Sequence, residues 1–240
     1  MNKKIALITW THNEYRDLWP MYFGRLDKHL NYNKSYIFLD KYSEKINKQH
    51  QQLVNNDKDL IYKRLLECLD RVEEKYVLYS QEDHIFYGDC NEEQLEYAFN
   101  FLVDSSLSSI RLIKSGEMGG NKIGENIFLI SQTSPYLFSQ QSSIWKKDNL
   151  KNLIKFFKPK TYRDMEGFGS IAMKSLKMGA CYYYSGEPKR GSLHFDSSIF
   201  PYIATAVCKG RWNLKQYPEL LKGALTEYKV DPTLRGIYEI

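Results

Sequence analysis

Two adjacent carboxylates and a histidine follow an apolar run in the first half of the chain. Glu82, Asp83 and His84 come just after residues 76–79, Tyr-Val-Leu-Tyr. Such a short apolar run is typical of a buried strand in a parallel sheet. Ligands of open α/β sheets bind outside the carboxyl ends of the strands, where carboxylates are costly unless they meet a metal, a cation or a sugar hydroxyl. We therefore predict that Glu82 and Asp83 contact a ligand; the alternative is a pair of solvated acids at a polar strand exit.

Polar side chains also close the first two predicted strands of the chain. Residues 4–10 form an apolar run that ends in Thr9-Trp10-Thr11-His12-Asn13-Glu14. A second run over residues 36–39 is closed by Asp40. The carboxyl ends of these strands therefore carry groups that are able to hold a polar ligand.

The spacing of apolar residues predicts that helices alternate with these strands. Helices are expected over residues 15–30, 61–72, 91–102 and 150–157, and after Thr161, the last with Phe168, Ile171, Ala172 and Leu176 on its buried side. Further strands are expected over residues 109–113, 127–130, 142–145 and 181–185. The polar residues 44–56 favour a loop or a surface helix, and the tail from residue 197 onward is expected to be irregular. This alternation predicts an α/β fold, with a mostly parallel, Rossmann-like central sheet flanked by helices in a single domain.

The composition argues against several classes of function. Aromatic residues make up 15% of the chain, which suits stacking on sugar rings and bases. The net charge of +5 suits phosphates or an acidic membrane face, but no basic run predicts a nucleic-acid arm. Four dispersed cysteines, with no CxxC pair, argue against a zinc knuckle and a disulfide framework. The apolar residues 5–8 are too few for a signal peptide or a membrane span, so we expect a cytoplasmic protein, with contact to the inner face of the membrane left open.

Three of these pieces together resemble the nucleotide-sugar-dependent glycosyltransferases of the GT-A fold. Residues 9–14 are similar to the "T-x-x-N-E" opening of that family, and Asp40 stands where the family often contacts the base or ribose. Residues 78–84, Leu-Tyr-Ser-Gln-Glu-Asp-His, look like its "L-x-x-E-D-D" version of the DxD signature. The resemblance covers about residues 4–195. It implies a catalytic domain over residues 1–195, with a nucleotide part (1–90) and an acceptor part (91–195), and an extension over residues 196–240 packed on it.

The resemblance implies which residues bind the donor. Nucleotide contacts are expected from Thr9, Thr11, Asn13, Glu14 and Asp40, and diphosphate contacts from Glu82 and Asp83. Lys189 and Arg190, two adjacent cations beside glycines, are expected to clamp the diphosphate as well; the alternative is a surface loop with incidental charges. In the family, the last acid of the signature usually holds a divalent metal; this chain has His84 there. Either Glu82 or Asp83 binds Mn²⁺ or Mg²⁺, with His194 as a late ligand, or positive side chains replace the metal.

The resemblance also implies an acceptor side in the second half of the chain. Residues 136–145 are polar and aromatic, as in the acceptor-binding stretch of this fold, although Trp145 suits a core position equally well. Inverting members use an acid at a helix start as the general base. Glu166 and Asp164 match that position, with Glu166 favoured because Gly167 and Gly169 lie beside it. Acids also favour helix starts for dipole reasons alone.

The sequence therefore predicts an enzyme that transfers a sugar from a nucleotide sugar to a glycan or lipid-linked glycan acceptor, in surface polysaccharide synthesis. Two alternatives stay open. A nucleotidyltransferase would be built on a similar sheet, but residues 11–14 contain neither the glycine nor the lysine of its first loop. A carbohydrate-binding or degenerate transferase-like protein would need no convergence of Glu82, Asp83 and Glu166.

Overall fold

The strands and helices of the chain alternate through its first half and become shorter towards its end. The computed structural model describes residues 4–116, 119–191 and 193–239. The strands within these residues are β1 (Ile5–Trp10), β2 (Ser35–Leu39), β3 (Gln51–Val54), β4 (Tyr76–Gln81), β5 (Ile85–Phe86), β6 (Ser109–Arg111), β7 (Lys122–Gly124), β8 (Ile127–Leu129), β9 (Ser143–Lys146), β10 (Ala180–Tyr183), β11 (Lys189–Arg190), β12 (His194–Phe195), β13 (Tyr202–Ile203), β14 (Val207–Cys208) and β15 (Arg211–Trp212). The helices are α1 (Trp19–His29), α2 (Ile61–Asp70), α3 (Glu92–Asp104), α4 (Lys147–Phe157), α5 (Tyr162–Ser175) and α6 (Pro218–Glu227), with 3₁₀ turns at Asn13–Tyr15 and Pro232–Leu234.

Nine of the described strands form one central sheet in the order β3-β2-β1-β4-β9-β6-β10-β8-β7. The strands β3, β2, β1 and β4 are parallel neighbours. In the described sheet, β8 and β9 run against the other strands. The prediction of a mostly parallel α/β sheet is confirmed. The C-terminal ends of β1, β2 and β4 lie at the same end of the sheet, which we call its carboxyl edge. The residues that follow these strands therefore come together there.

Both faces of the sheet are buried, which explains why its central strands are almost continuously apolar. On one face, Leu7 packs in a cluster with α1, α3 and α6. On the other face, Ile8 packs in a cluster with α2, α4 and α5. Residues 199–225 contribute buried side chains to the first cluster, and β13 pairs with β5 just after the Glu82-Asp83 pair. This pairing brings the C-terminal part of the chain to the same edge of the sheet.

Three predictions about individual elements were wrong. Residues 51–54 form an edge strand beside β2, although a loop or helix was predicted for this region. An edge strand that buries only Leu53 shows little apolar alternation in its sequence. The tail is also not irregular throughout, because α6 packs Leu221, Ala224 and Leu225 inside at helical spacing.

The third error concerns the buried face of α5. Phe168 and Ile171 were expected inside but are 56% and 58% exposed. The helix instead buries Met165, Gly169, Ala172 and Met173, which also follow helical spacing. A Cβ atom on Gly169 would lie 2.5 Å from the Phe138 ring, so close packing selects this face. The helix is therefore rotated about its axis relative to the orientation that the sequence predicted. Its observed orientation sets the direction in which Glu166 points.

No helix in the described part of the chain is long and apolar enough to cross a membrane.

Candidate functional site

Two adjoining cavities open at the carboxyl edge of the sheet, where Glu82 and Asp83 follow β4. The first has a volume of about 320 Å³ and the second of about 380 Å³. The residues that line both cavities are Gln81, Asp83, Gln140, Glu166 and Val207. They come from the end of β4, the loop before β9, helix α5 and strand β14. Because they belong to both linings, they form the boundary across which two bound molecules would meet.

The first cavity is built from four distant parts of the chain. Its own lining consists of Trp10, Thr11, His12 and Tyr15 at the end of β1 and in the turn that follows it, Glu82 after β4, Tyr162 and Arg163 at the start of α5, and Lys209 and Gly210 in the β14–β15 turn. Aromatic side chains and two cations therefore share the lining of this cavity with the carboxylates. Lys209 and Gly210 both have positive φ angles, of 50° and 80°, which turn the hairpin tightly at the cavity rim.

The turn after β1 is held in place by Asp40. Its Oδ1 accepts hydrogen bonds from the Asn13 backbone N–H at 2.8 Å and from Asn13 Nδ2 at 3.1 Å. His12 Nε2 lies 3.3 Å from Asp40 Oδ2. Trp19 Nε1 donates to Thr11 Oγ1 at 2.8 Å. Asp40 therefore positions His12, and Trp19 positions the side chain of Thr11, at the cavity.

Several residues predicted to contact the donor lie elsewhere. Thr9, Asn13, Glu14 and Asp40 are outside the described lining of both cavities, and Thr9 is fully buried with its hydroxyl 2.8 Å from that of Tyr22. Of the residues predicted to contact the nucleotide or the diphosphate, Thr11, Glu82 and Asp83 line the first cavity.

The two cations predicted to clamp a diphosphate are in the β11–β12 hairpin. Arg190 makes two hydrogen bonds to Asp196, at 2.6 and 2.7 Å. Lys189 is exposed, and neither residue belongs to the described lining of the two cavities. The cations that do line the first cavity are Arg163 and Lys209. Neither residue was predicted from the sequence to bind a ligand, although Arg163 lies next to Asp164, one of the two candidate bases.

Arg235, near the end of the described chain, holds one wall of the first cavity. Its guanidinium makes two hydrogen bonds of 2.5 Å to Asp17 and lies 4.8 Å from the centre of the Tyr15 ring. It also donates to the carbonyl oxygens of Glu14 at 3.3 Å and Gly210 at 3.4 Å. One side chain thus connects the turn after β1 to the β14–β15 turn on the other side of the cavity.

The carboxylates that line the two cavities are held in surroundings that disfavour their charge. Burial raises the pKa of Glu82, and the charge of Asp83 raises it further. Burial also raises the pKa of Asp83, to which the charge of Glu166 adds. Desolvation raises the pKa of Glu166 as well. Like charges gathered in a partly desolvated cleft are typical of a site that binds cations or moves protons.

The two candidate bases have different surroundings. Asp164 belongs to the capping box of α5 and accepts hydrogen bonds from the backbone N–H groups of Lys160 and Thr161, both at 2.8 Å. These bonds lower the pKa of Asp164, and its side chain is outside the described lining of both cavities. Glu166 borders both cavities. Of the two acids, Glu166 is the one that is placed to reach a bound molecule.

The second cavity is lined mainly by uncharged polar and aromatic groups. Besides the shared residues, its lining contains His84, Ser115, Gly116, Pro135, Tyr136, Phe138, Ser139, Gln141, Leu193, His194, Ala204 and Thr205. The Nδ1 atom of His84 lies 3.0 Å from Ser142 Oγ, and that of His194 lies 3.4 Å from Thr205 Oγ1. Burial lowers the pKa of His84 to about 3 and that of His194 to about 4.

The predicted metal ligands are divided between the two cavities. Glu82 lines the first, His194 lines the second, and Asp83 lines both. No group of three or more His, Cys, Asp or Glu side chains that could hold a metal ion occurs among the described residues. The carboxylate oxygens of Glu82 and Asp83 nevertheless suit a hard divalent cation.

Comparisons with known proteins identify similar folds. No protein-family model and no curated protein matches the chain. A CMP:2-keto-3-deoxy-manno-octonic acid synthetase in complex with CTP is 12% identical, with 75% of this chain and 89% of that chain covered and a TM-score of 0.51. S. aureus TarS (1–349) is 14% identical over 96% of this chain and 68% of that chain, with a TM-score of 0.47. The glycosyltransferase GlyE of Streptococcus pneumoniae TIGR4 is 15% identical over 73% of this chain and 43% of that chain, with a TM-score of 0.42. The similarity to the synthetase shows a shared fold.

Proposed function

We propose that the protein is a glycosyltransferase that moves a sugar from a nucleotide sugar to a hydroxyl group of a glycan, with inversion, in polysaccharide synthesis. The observation that carries the proposal is that Asp83 and Glu166 border both cavities. A donor in the first cavity and an acceptor in the second would meet at these carboxylates.

The first cavity offers the groups that a nucleoside diphosphate needs. Tyr15 and Tyr162 supply aromatic surface for a base, and Arg163 and Lys209 supply positive charge for the phosphates. Its volume of about 320 Å³ lies at the lower end of the range for small-molecule sites. These cations take the role that the sequence predicted for Lys189 and Arg190.

Glu82 and Asp83 would hold Mg²⁺ or Mn²⁺ against the diphosphate. The fit rests on their oxygen ligands and on their raised pKa values, since two carboxylates that disfavour their own charge gain most from a cation. When bound, such a cation supplies positive charge that stabilises the leaving diphosphate. His194 lies in the second cavity and is not part of this proposed pair of cation ligands.

Glu166 would act as the general base. Its carboxylate takes the proton of the acceptor hydroxyl, and the hydroxyl oxygen forms a bond to the anomeric carbon of the donor sugar. The bond from that carbon to the diphosphate oxygen breaks, and the nucleoside diphosphate leaves with the electron pair. Arg163 and Lys209 stabilise the charge that develops on it. The raised pKa of Glu166 makes it a stronger base than an ordinary carboxylate.

A panel of nucleotide sugars tests this function. The purified protein is incubated with each donor, a panel of neutral glycoside acceptors and Mn²⁺ or Mg²⁺, and the products are measured by intact mass. The proposal expects an acceptor that gains the mass of one sugar residue, together with a free nucleoside diphosphate. Nucleotide binding without any transfer or donor cleavage would contradict it.

A second candidate function is nucleotidyl transfer, which is favoured by the shared fold with the synthetase described above. That reaction would join a nucleotide to a sugar and release pyrophosphate. The same assay separates the two functions when CTP and other nucleoside triphosphates are added, because pyrophosphate is formed only in the second. Glycan binding with neither product would identify a carbohydrate-binding protein.

A further inference from the structure

We propose that the second cavity binds an uncharged sugar and discriminates against acceptors with a phosphate group next to the reacting hydroxyl. This inference rests on the proposed function and names the acceptor class for it. It follows from the difference in charge between the two cavities.

The charged residues are distributed unequally between the two cavities. Arg163 and Lys209 line the first cavity, whereas no lysine or arginine belongs to the described lining of the second. Asp83 and Glu166 line the second cavity as well as the first. A phosphate in the second cavity would therefore lie close to the carboxylate of Glu166 with no lysine or arginine in the described wall to pair with, while the cation held by Asp83 would be engaged by the diphosphate of the donor. An anion in such a partly desolvated space is unfavourable.

Two cations lie behind the wall of the second cavity, outside its described lining, and the described hydrogen bonds of Arg111 are to groups of the protein, although its charge contributes to the lowered pKa of His194. Arg111 is buried, and its guanidinium donates to Ser115 Oγ at 3.3 Å and to the carbonyl oxygens of Tyr136 at 2.8 Å and Leu137 at 3.5 Å. It thereby holds together the loops that form the wall. The ammonium group of Lys114 lies over two aromatic rings, 4.2 and 4.4 Å from their centres.

The remaining polar groups suit sugar hydroxyls. Gln81 donates to Gln140 Oε1 at 2.9 Å, and Gln140 donates in turn to the carbonyl oxygen of Tyr162 at 3.1 Å. The Gln141 amide is fixed by Tyr202, whose hydroxyl donates to its Oε1 at 2.8 Å. Oriented amides of this kind present both donors and acceptors, as sugar hydroxyls do. Tyr136 adds an aromatic surface to the same wall.

Two exposed leucines provide a matched pair of variants for the test. Leu193 lines the second cavity and is 43% exposed, so that a lysine there would place a cation at the rim of this cavity. Leu234 is 79% exposed and lies outside the described lining of both cavities. Leu193→Lys therefore adds a positive charge at the second cavity, and Leu234→Lys adds the same charge away from it.

The experiment measures transfer from the identified donor to p-nitrophenyl hexosides and to their 6-phosphates. For the wild-type protein we expect kcat/KM to be at least about tenfold higher with the neutral acceptor. Leu193→Lys should reduce this ratio at least about threefold, and Leu234→Lys should leave it unchanged. Equal or better transfer to the phosphates, or the same ratio in both variants, would overturn the inference and leave the proposed function standing. Failure to consume any nucleotide sugar with either acceptor would overturn both.

Discussion

The guanidinium group of Arg235 lies 4.8 Å from the centre of the Tyr15 ring and supports it at the wall of the first cavity. The same group makes two hydrogen bonds to Asp17, which lies in the loop between Tyr15 and α1. The C-terminal part of the chain thus orders a surface that the N-terminal part contributes. A side chain that orders a binding surface in advance lowers the entropic cost of binding.

We expect Arg235→Ala to weaken nucleotide binding between about threefold and tenfold, because Tyr15 loses its cationic support. Arg190→Ala is the matched control, since Arg190 also makes two hydrogen bonds to one aspartate but lies outside the described lining of the cavities. Titration calorimetry with the nucleoside diphosphate measures both variants. Equal losses in the two variants would argue against this role of Arg235.

Lys209 should bind the phosphates and not the base. We expect Lys209→Ala to weaken binding of the nucleoside diphosphate about tenfold and to leave binding of the nucleoside unchanged, because one charge-assisted contact is lost. Lys189→Ala, another exposed lysine of a hairpin, serves as the control and should have no effect. If Lys189→Ala were the more damaging variant, the diphosphate would lie at the position predicted from the sequence.

Asp83→Asn should abolish most of the activity. Its carboxylate borders both cavities and would lie against the diphosphate, so we expect kcat to fall at least about a hundredfold with either Mg²⁺ or Mn²⁺. A rate close to that of the wild type, measured with and without Mn²⁺, would exclude the assignment.

The Asp83→Asn variant should also be more stable than the wild type once the pH rises above the acidic range. The pKa of Asp83 is raised in the folded state, so folding favours the protonated carboxyl. The contribution of this protonated carboxyl to the free energy of unfolding is complete below the unfolded-state pKa of about 4. It is lost as the pH rises through the folded-state pKa. Asparagine cannot lose this proton. Melting curves from pH 4 to 8 should therefore show a difference in Tm that grows in favour of Asp83→Asn, and a constant or opposite difference would contradict the assigned shift.

The sequence predicted the sheet and the position of the acids because both depend on local patterns. The continuous apolar runs of β1, β2 and β4 mark buried parallel strands, and polar residues that follow such strands meet at one edge. Glu82, Asp83 and Thr11 were found in this way and line the first cavity. Glu166 was found from its place near the start of a helix, although the predicted buried face of that helix was wrong.

The contributions of the C-terminal part had no comparable local signal. Lys209 and Arg235 lie in turns near the end of the described chain, and the contact of Arg235 with Tyr15 joins residues that are far apart in the sequence. Lys189 and Arg190 stood out because they are adjacent and close to glycines. Arg190 instead pairs with Asp196, six residues further along the chain, which the sequence pattern did not reveal.

The central claim is that Glu166 removes a proton from the acceptor, and Glu166→Gln tests it most directly. Such help is worth about 10² to 10⁴ in rate, so we expect a fall of that size in kcat, with the nucleotide affinity unchanged and with Tm equal to or above that of the wild type, because the raised pKa of Glu166 shows that its charge is disfavoured in the folded state. Asp164→Asn is the control: it loses the negative charge that strengthens the hydrogen bonds of the capping box, so Tm should fall while kcat is retained. A normal kcat in Glu166→Gln, or a loss of activity in Asp164→Asn alone, would contradict the account.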